Sequence, residues 1–224
     1  MENRELAILD VKNLVAGYGK NKPVIDGLSF ELGSGETLGL CGASGSGKTT
    51  IIWAILGMLH RFGGYASGEL LFGGDNLLEI DKKKWQSLRW SRLALVPQSS
   101  MSTLNPVYTI GRTFSEMLKA HDEKSFEKVP HLLNSVGLEQ DVRDRFPHEL
   151  SGGMKQRVAI ALAMLFDPEI LFLDEATSGL DVIIEADILK LLRELQGRSG
   201  LSMIFVSHDR RITGEFCHRR INLT

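Results

Sequence analysis

The stretch "TLGLCGASGSGKTTIIWAILGML", residues 37–59, decides the fold. It opens with a short apolar run and passes through a glycine-rich segment. From Lys48 onward it carries apolar residues in a block that suits a helix. Strand, glycine loop and helix in that order is the setting a phosphate loop requires, and Gly42 to Thr49 fits G-x-x-x-x-G-K-[ST]. Glycines let backbone N–H groups turn inward on a phosphate, and a helix N-terminus adds positive potential. Gly42, Ala43, Ser44, Gly45, Ser46 and Gly47 are therefore expected to cradle phosphates, with Thr50 just behind them. Lys48 is expected to reach the β- and γ-phosphates of a nucleotide, and Thr49 to offer its hydroxyl to Mg²⁺.

Working outward, "AILDVKNLVAGYG" and "VIDGLSFELGSGE" read as extended segments broken by glycine turns. "GGYASGELLFGGDNLLEI" is a further turn-rich β segment. "LALVPQ", "EILFLDE" and "LSMIFVSHD" are short apolar runs of the kind found in buried strands. Between the first two of these the pattern turns helical and more polar, from Thr109 to about Leu150. "VIIEADILKLLRELQ" has helical spacing. Apolar strands alternating with helices predict a parallel sheet covered on both faces. The expected class is α/β: a P-loop NTPase with a mostly parallel core sheet, an N-terminal antiparallel β subdomain and an inserted helical subdomain. Residues 1–98 and 168–224 form the expected nucleotide-binding core, and 99–167 the helical insertion.

In "ILFLDE", four apolar residues lead into Asp174 and Glu175 at the C-terminal end of a predicted strand. Ligands sit there in open parallel sheets. Asp174 suits a place in a Mg²⁺ shell. Glu175 is an adjacent carboxylate able to polarise an attacking water as general base. As neighbours on a strand, the two are expected to leave opposite faces.

Composition narrows the field. The chain has 224 residues, 43% of them hydrophobic, and a formal net charge of −2. That balance gives no electrostatic reason to expect nucleic acid as a partner. The charged opening "MENRELAILD" predicts no secretory signal. "IIWAILGML" is far shorter than the roughly 20 residues of a membrane span. Cys41 and Cys217 stand far apart without metal-ligand spacing and are expected to pack in a reduced setting.

A second phosphate grip is written at "LSGGMKQR", Leu150 to Arg157. It has a serine, two glycines and two cations at an expected helix start, and no carboxylate, histidine or cysteine. With these residues the chain resembles the ATP-binding subunits of ABC transporters over almost its whole length. "LSGGMKQR" is similar to that family's signature, and it lies between the phosphate loop and the carboxylate strand as the signature does. The resemblance implies ATP as the nucleotide with Mg²⁺. It also implies a head-to-tail pair with a second such subunit, identical or paralogous. Ser151, Gly152 and Gly153 would then bind the γ-phosphate of ATP held by the other subunit. Four further positions follow from the resemblance. Tyr18 in "AGYG" matches an aromatic that stacks on adenine. Gln98 matches a glutamine that contacts Mg²⁺ or the nucleophilic water. Asp181 closes "SGLD", a dimer-interface loop, and His208 in "FVSHD" matches a histidine on the γ-phosphate. His60, His121, His131, His148 and His218 lack such context, as do Trp53, Trp85 and Trp90.

"PQSSMSTLNPVYTIG" and "FPHELSGGMKQRVAIALAM" look like the ATPases of dipeptide, oligopeptide and nickel importers. The resemblance thus implies an ATPase that powers import, seated on the cytoplasmic face of the cell membrane. Its partners would be membrane permeases and, indirectly, an extracytoplasmic solute-binding protein. Permease contact is expected along residues 98–113, with Met101, Leu104, Val107 and Tyr108 exposed. A rival reading is a non-transport ABC ATPase in a soluble complex, such as a phosphonate carbon–phosphorus lyase assembly. Repair and translation ATPases of the family are disfavoured, because no long coiled-coil insertion, second cassette or basic excess is present. Two departures stand out. Ala176 occupies a place where the family usually has proline, and the sequence stops at "RRINLT", where peptide-importer ATPases commonly continue.

Overall fold

The computed structural model describes residues 7–98, 104–123 and 125–223. Met101 therefore lies outside the described residues. The described residues begin with β1 (Ala7–Tyr18) and β2 (Ile25–Gly33), which pair antiparallel. β3 (Thr37–Cys41) feeds the glycine loop and α1 (Lys48–Ile55). β4 (Gly64–Phe72) and the short β5 (Asp75–Asn76) return to the first sheet, whose order is β2-β1-β4-β5. α2 (Lys82–Leu88) and β6 (Leu93–Val96) follow. The helical stretch then contains α3 (Ile110–Ala120), α4 (Lys128–Ser135) and α5 (Gly152–Met164). β7 (Ile170–Asp174), α6 (Val182–Ser199), β8 (Ser202–Ser207), α7 (Arg210–Phe216) and β9 (Arg219–Asn222) complete the described chain. The second sheet is parallel, in the order β6-β7-β8-β3-β9.

In β1, Leu9 and Val11 are buried, and then Leu14 and Ala16. The two-residue period slips between the pairs. The backbone explains it: Asn13 has φ +48°, and the register against β4 shifts between Lys12 and Val15. A bulge turns the strand so that both pairs face one core. Gly68 lies across from it at φ +109°, where a Cβ would stand 2.6 Å from the carbonyl oxygens of Lys12 and Asn13. Only glycine fits that approach.

The parallel strands are apolar on both sides and divide their residues between two cores. Ile170, Phe172, Ile204 and Val206 pack with α1 and the antiparallel sheet. Leu171, Leu173, Met203 and Phe205 pack with the helical stretch, together with Phe114, Val129 and Ile160. The alternation is the pleat itself. It is why these strands read as unbroken hydrophobic runs. Among the described residues no helix is long and apolar enough to cross a membrane.

Candidate nucleotide site

The site forms at the C-terminal ends of β3, β7 and β8. α1 starts at Lys48, and its N-cap, Gly47, sits at φ +92° and supplies no side-chain acceptor. By contrast Asp81, Thr109, Ser151, Asp181 and Asp209 each accept a first-turn N–H of the helix they precede. The first turn of α1 is therefore left for an external anion. A Cβ on Gly47 would meet Ile25 Cδ1 at 2.5 Å, so the start of β2 presses directly on the loop. Nothing in the sequence of Val24–Ile25 signals this contact.

Two side chains test whether phosphates fit this loop. Ser46 Oγ is buried and has no hydrogen-bond partner among the described residues, a cost that a phosphate oxygen would remove. Lys48 is buried, and its Nζ donates to the carbonyls of Gly42 and Ala43, both at 2.8 Å. The ammonium is thus held across the loop it is expected to serve. Thr50 Oγ1 lies 3.3 Å from the hydroxyl of Tyr18, which ties the last residue of β1 to α1.

Thr49 Oγ1 donates to Asp174 Oδ1 at 3.3 Å. Burial pushes the Asp174 carboxyl above its ordinary 3.8; the Thr49 hydrogen bond opposes the rise, Glu175 adds to it, and Lys48 opposes it. A desolvated carboxylate beside a hydroxyl is a hard-oxygen pair suited to Mg²⁺. No group of three or more His, Cys, Asp or Glu among the described residues could hold a metal. A Mg²⁺ bound here would be held by Thr49 and Asp174 and would need further ligands from beyond this pair.

Glu175 corrects the strand argument. β7 ends at Asp174, and Glu175 turns into the left-handed region at φ +49°. Strand alternation therefore does not govern it, and the two carboxylates are close enough to repel each other. Gln98 Nε2 donates to Glu175 Oε2 at 2.7 Å, and His208 Nδ1 lies 3.6 Å from Oε1. The structure brings Gln98, Glu175 and His208 together, with Gln98 bonded to the carboxylate rather than to Thr49 or Asp174. Sequence spacing gave no sign of that bond.

Ser151 caps α5 by accepting from Met154 N at 3.2 Å. Ser151 and Gly152 are exposed, and Gly153 is buried, its Cα hydrogens facing Ile184. No hydrogen bond among the described residues joins 151–153 to the phosphate loop. One of the motif's two cations is structural: Arg157 Nη1 donates to Val136 O at 2.7 Å, beyond the end of α4. Asp181 caps α6 through Ile183 N and Ile184 N. Leu104 overturns an expectation of exposure. It is only 6% exposed and packs in the helical core, whereas Val107 is 71% exposed.

The profile of the family described as ABC transporter matches residues 25–178, from β2 past Glu175. The chain belongs to the ABC transporter family. It is 36% identical over 226 residues to the dipeptide transport ATP-binding protein DppD of Lactococcus lactis subsp. cremoris, an alignment covering 96% of this chain and 64% of that one. It is 37% identical to the oligopeptide transport ATP-binding protein OppD of Bacillus subtilis, covering 96% and 63%. The chain thus spans a little under two thirds of the length of these relatives. Among solved structures, cbiO1 of Clostridium perfringens, part of the ABC transporter complex cbiONQ, matches with TM-score 0.84 at 28% identity, covering 97% of this chain and 85% of that one. The dimeric structure of MJ0796, a bacterial ABC transporter cassette, matches with TM-score 0.81 at 25% identity, covering 96% and 94%. The two curated relatives named here are transport ATP-binding proteins, and neither is named for a soluble lyase assembly. No relative named here points to nickel.

Proposed function

We propose that the chain binds and hydrolyses ATP to drive import of a small peptide. It would work as one of two nucleotide-binding subunits on the cytoplasmic face of a membrane permease that receives solute from an extracytoplasmic binding protein. The phosphate loop from Gly42 to Thr49 grips ATP, Lys48 neutralises its β- and γ-phosphates, and Tyr18 offers a ring to adenine. Thr49, Asp174 and Gln98 would hold Mg²⁺, which would supply charge neutralisation at the phosphates. Glu175 takes a proton from the attacking water. Gln98 and His208, already placed on its two oxygens, orient that water and the γ-phosphate.

One observation supports a shared site above the others: the second grip is formed and turned outward. Ser151 and Gly152 are exposed at a finished helix N-terminus, with no bond to the phosphate loop of their own chain. In a head-to-tail pair they close over ATP held by the partner, with Asp181 near the same interface.

Mixing two inactive variants tests this. Lys48→Ala breaks the grip in cis, and Ser151→Arg breaks it in trans. Each alone should be inactive at both sites of its own pair. A mixed pair rebuilds one site from an intact loop and an intact serine, so ATPase activity should return on mixing. A mixture as inactive as its parts, beside an active wild type, would refute the shared site.

A further inference from the structure

His208 is the most loosely held member of the site. Its side chain is 62% exposed and approaches Glu175 Oε1 only to 3.6 Å. A cavity of about 130 Å³ lies beside it, with Glu175, Thr177, Ser207 and Asp209 in its wall. Packing therefore does not confine the ring, and its place depends on the backbone that carries it.

That backbone is fixed through Asp209 by two hydroxyls that the reaction does not use. Ser207, the buried last residue of β8, accepts the Asp209 N–H at 3.0 Å, a bond that spans His208. Thr213, in the middle of α7, is fully buried. Its Oγ1 donates to Asp209 O at 3.2 Å and Arg210 O at 3.3 Å. The same oxygen accepts the Cys41 S–H at 3.1 Å. Cys41 ends β3 and is followed by Gly42, where the phosphate loop opens. One buried oxygen thus joins the foot of the phosphate loop to the residue after His208.

A helical threonine that bonds the carbonyl four residues back is ordinary. The bond from Cys41 is not, because it joins positions 172 residues apart. Nor is the hydroxyl required to seat the helix. Ile212 and Phe216 are buried in the core, and the Phe216 ring meets Phe205 of β8 at 5.0 Å. What the hydroxyl adds to that packing is direction: hydrogen bonds fix where a peptide points, and apolar contacts do not.

We propose that Thr213 is a positioning residue for ATP hydrolysis. Through Asp209 it fixes the His208 backbone relative to the phosphate loop, so that the ring stays on Glu175. Ser207 does the same from the strand side. The proposal rests on the role given to His208 above.

Thr213→Val keeps the shape and removes the hydroxyl; Thr213→Ser restores the hydroxyl. The first readout is the position of the ring. In the intact chain with ¹⁵N-labelled histidine, the His208 ring signals, assigned by their loss in His208→Ala, should move when Glu175→Gln is introduced. In Thr213→Val that response should vanish, and in Thr213→Ser it should return. The second readout is turnover by the active pair. Thr213→Val should lower kcat about three- to tenfold, the fold-change of one hydrogen bond, with the KM for ATP unchanged. Thr213→Ser should recover the rate, and on a His208→Ala background Thr213→Val should cost nothing further. No response of the ring to Glu175→Gln in the wild type, or the same response in Thr213→Val, would overturn the proposal. An equal loss of kcat with and without His208 would also overturn it and make Thr213 a residue of the fold alone. If His208→Ala keeps the wild-type rate, the role given to His208 fails, and the ring signals alone decide whether Thr213 places it. Should Thr213→Val not fold, Ser207→Ala takes the same two measurements from the other side of His208. Its loss should be milder, because water from the adjoining cavity can take the Asp209 N–H.

Discussion

Glu175→Gln separates binding from chemistry at one atom. Glutamine keeps the shape and can still accept the Gln98 N–H now made at 2.7 Å. It also meets the same backbone demand, since glutamate already occupies φ +49° without glycine's freedom. What disappears is the basic oxygen. Loss of a general base costs about 10²–10⁴ in rate, which is about 3–5 kcal/mol of barrier. The neighbourhood predicts the opposite sign for binding. Glu175 repels the buried Asp174 carboxylate, and neutralising it leaves Asp174 more ready to hold Mg²⁺. Affinity for Mg²⁺–ATP should therefore hold or tighten while turnover falls. Calorimetry measures the first and phosphate release the second. If the second grip acts in trans, the stalled variant should also collect as an ATP-bound pair on size exclusion, in the isolated chain or in the assembled complex. Turnover near the wild-type rate would refute the reasoning and leave Gln98 and His208 to orient the water without a base.

Lys48→Ala removes a charge-assisted phosphate contact worth roughly 1.5–3 kcal/mol, so ATP affinity should fall at least about tenfold by calorimetry. Glu36 is a pH probe: burial alone would raise its carboxyl, but the Arg219 guanidinium and the Gly33 N–H outweigh it and hold the group below its ordinary 4.5. That contribution to stability is present above pH 4.5 and is lost as pH falls through the lowered value. The Tm gap between wild type and Arg219→Ala should accordingly be widest near neutral pH and shrink in acid. Burial pushes the Cys217 thiol up to about 12, with Cys41 adding to the rise. Iodoacetamide at pH 8 should leave Cys217 unmodified in the native chain and label it after denaturation.

The phosphate loop, the parallel strands and the carboxylate pair were legible because each is a local pattern with one physical solution. Glycines before a lysine and an apolar helix leave little else to build. Long-range choices were not legible. The slip in β1 needs Gly68 on another strand to accept the bulge at Asn13. Asp174 and Glu175 looked like alternating strand neighbours, but the strand stops between them, and a period cannot announce its own end. Leu104 sits among polar and turn-forming residues that suggest a surface, and only the helical core shows where it goes. Arg157 read as part of an anion grip, yet it is spent on Val136, twenty-one residues earlier. The outward face of Ser151 asks for a second chain, which no single sequence can display.

β7 and β8 send alternate residues to different neighbours, Ile170 and Phe172 to the side of α1 and Leu171 and Leu173 to the side of the helical stretch. A chain built this way can be rewritten on one side at a time. Drift in the helical stretch, met by matching changes at Leu171, Leu173, Met203 and Phe205, leaves the packing behind the phosphate loop as it was. Such a wall lets the surface over the helical stretch be refitted while the packing behind the phosphate loop is inherited intact. It also tells the engineer which half of each strand is open to recoding.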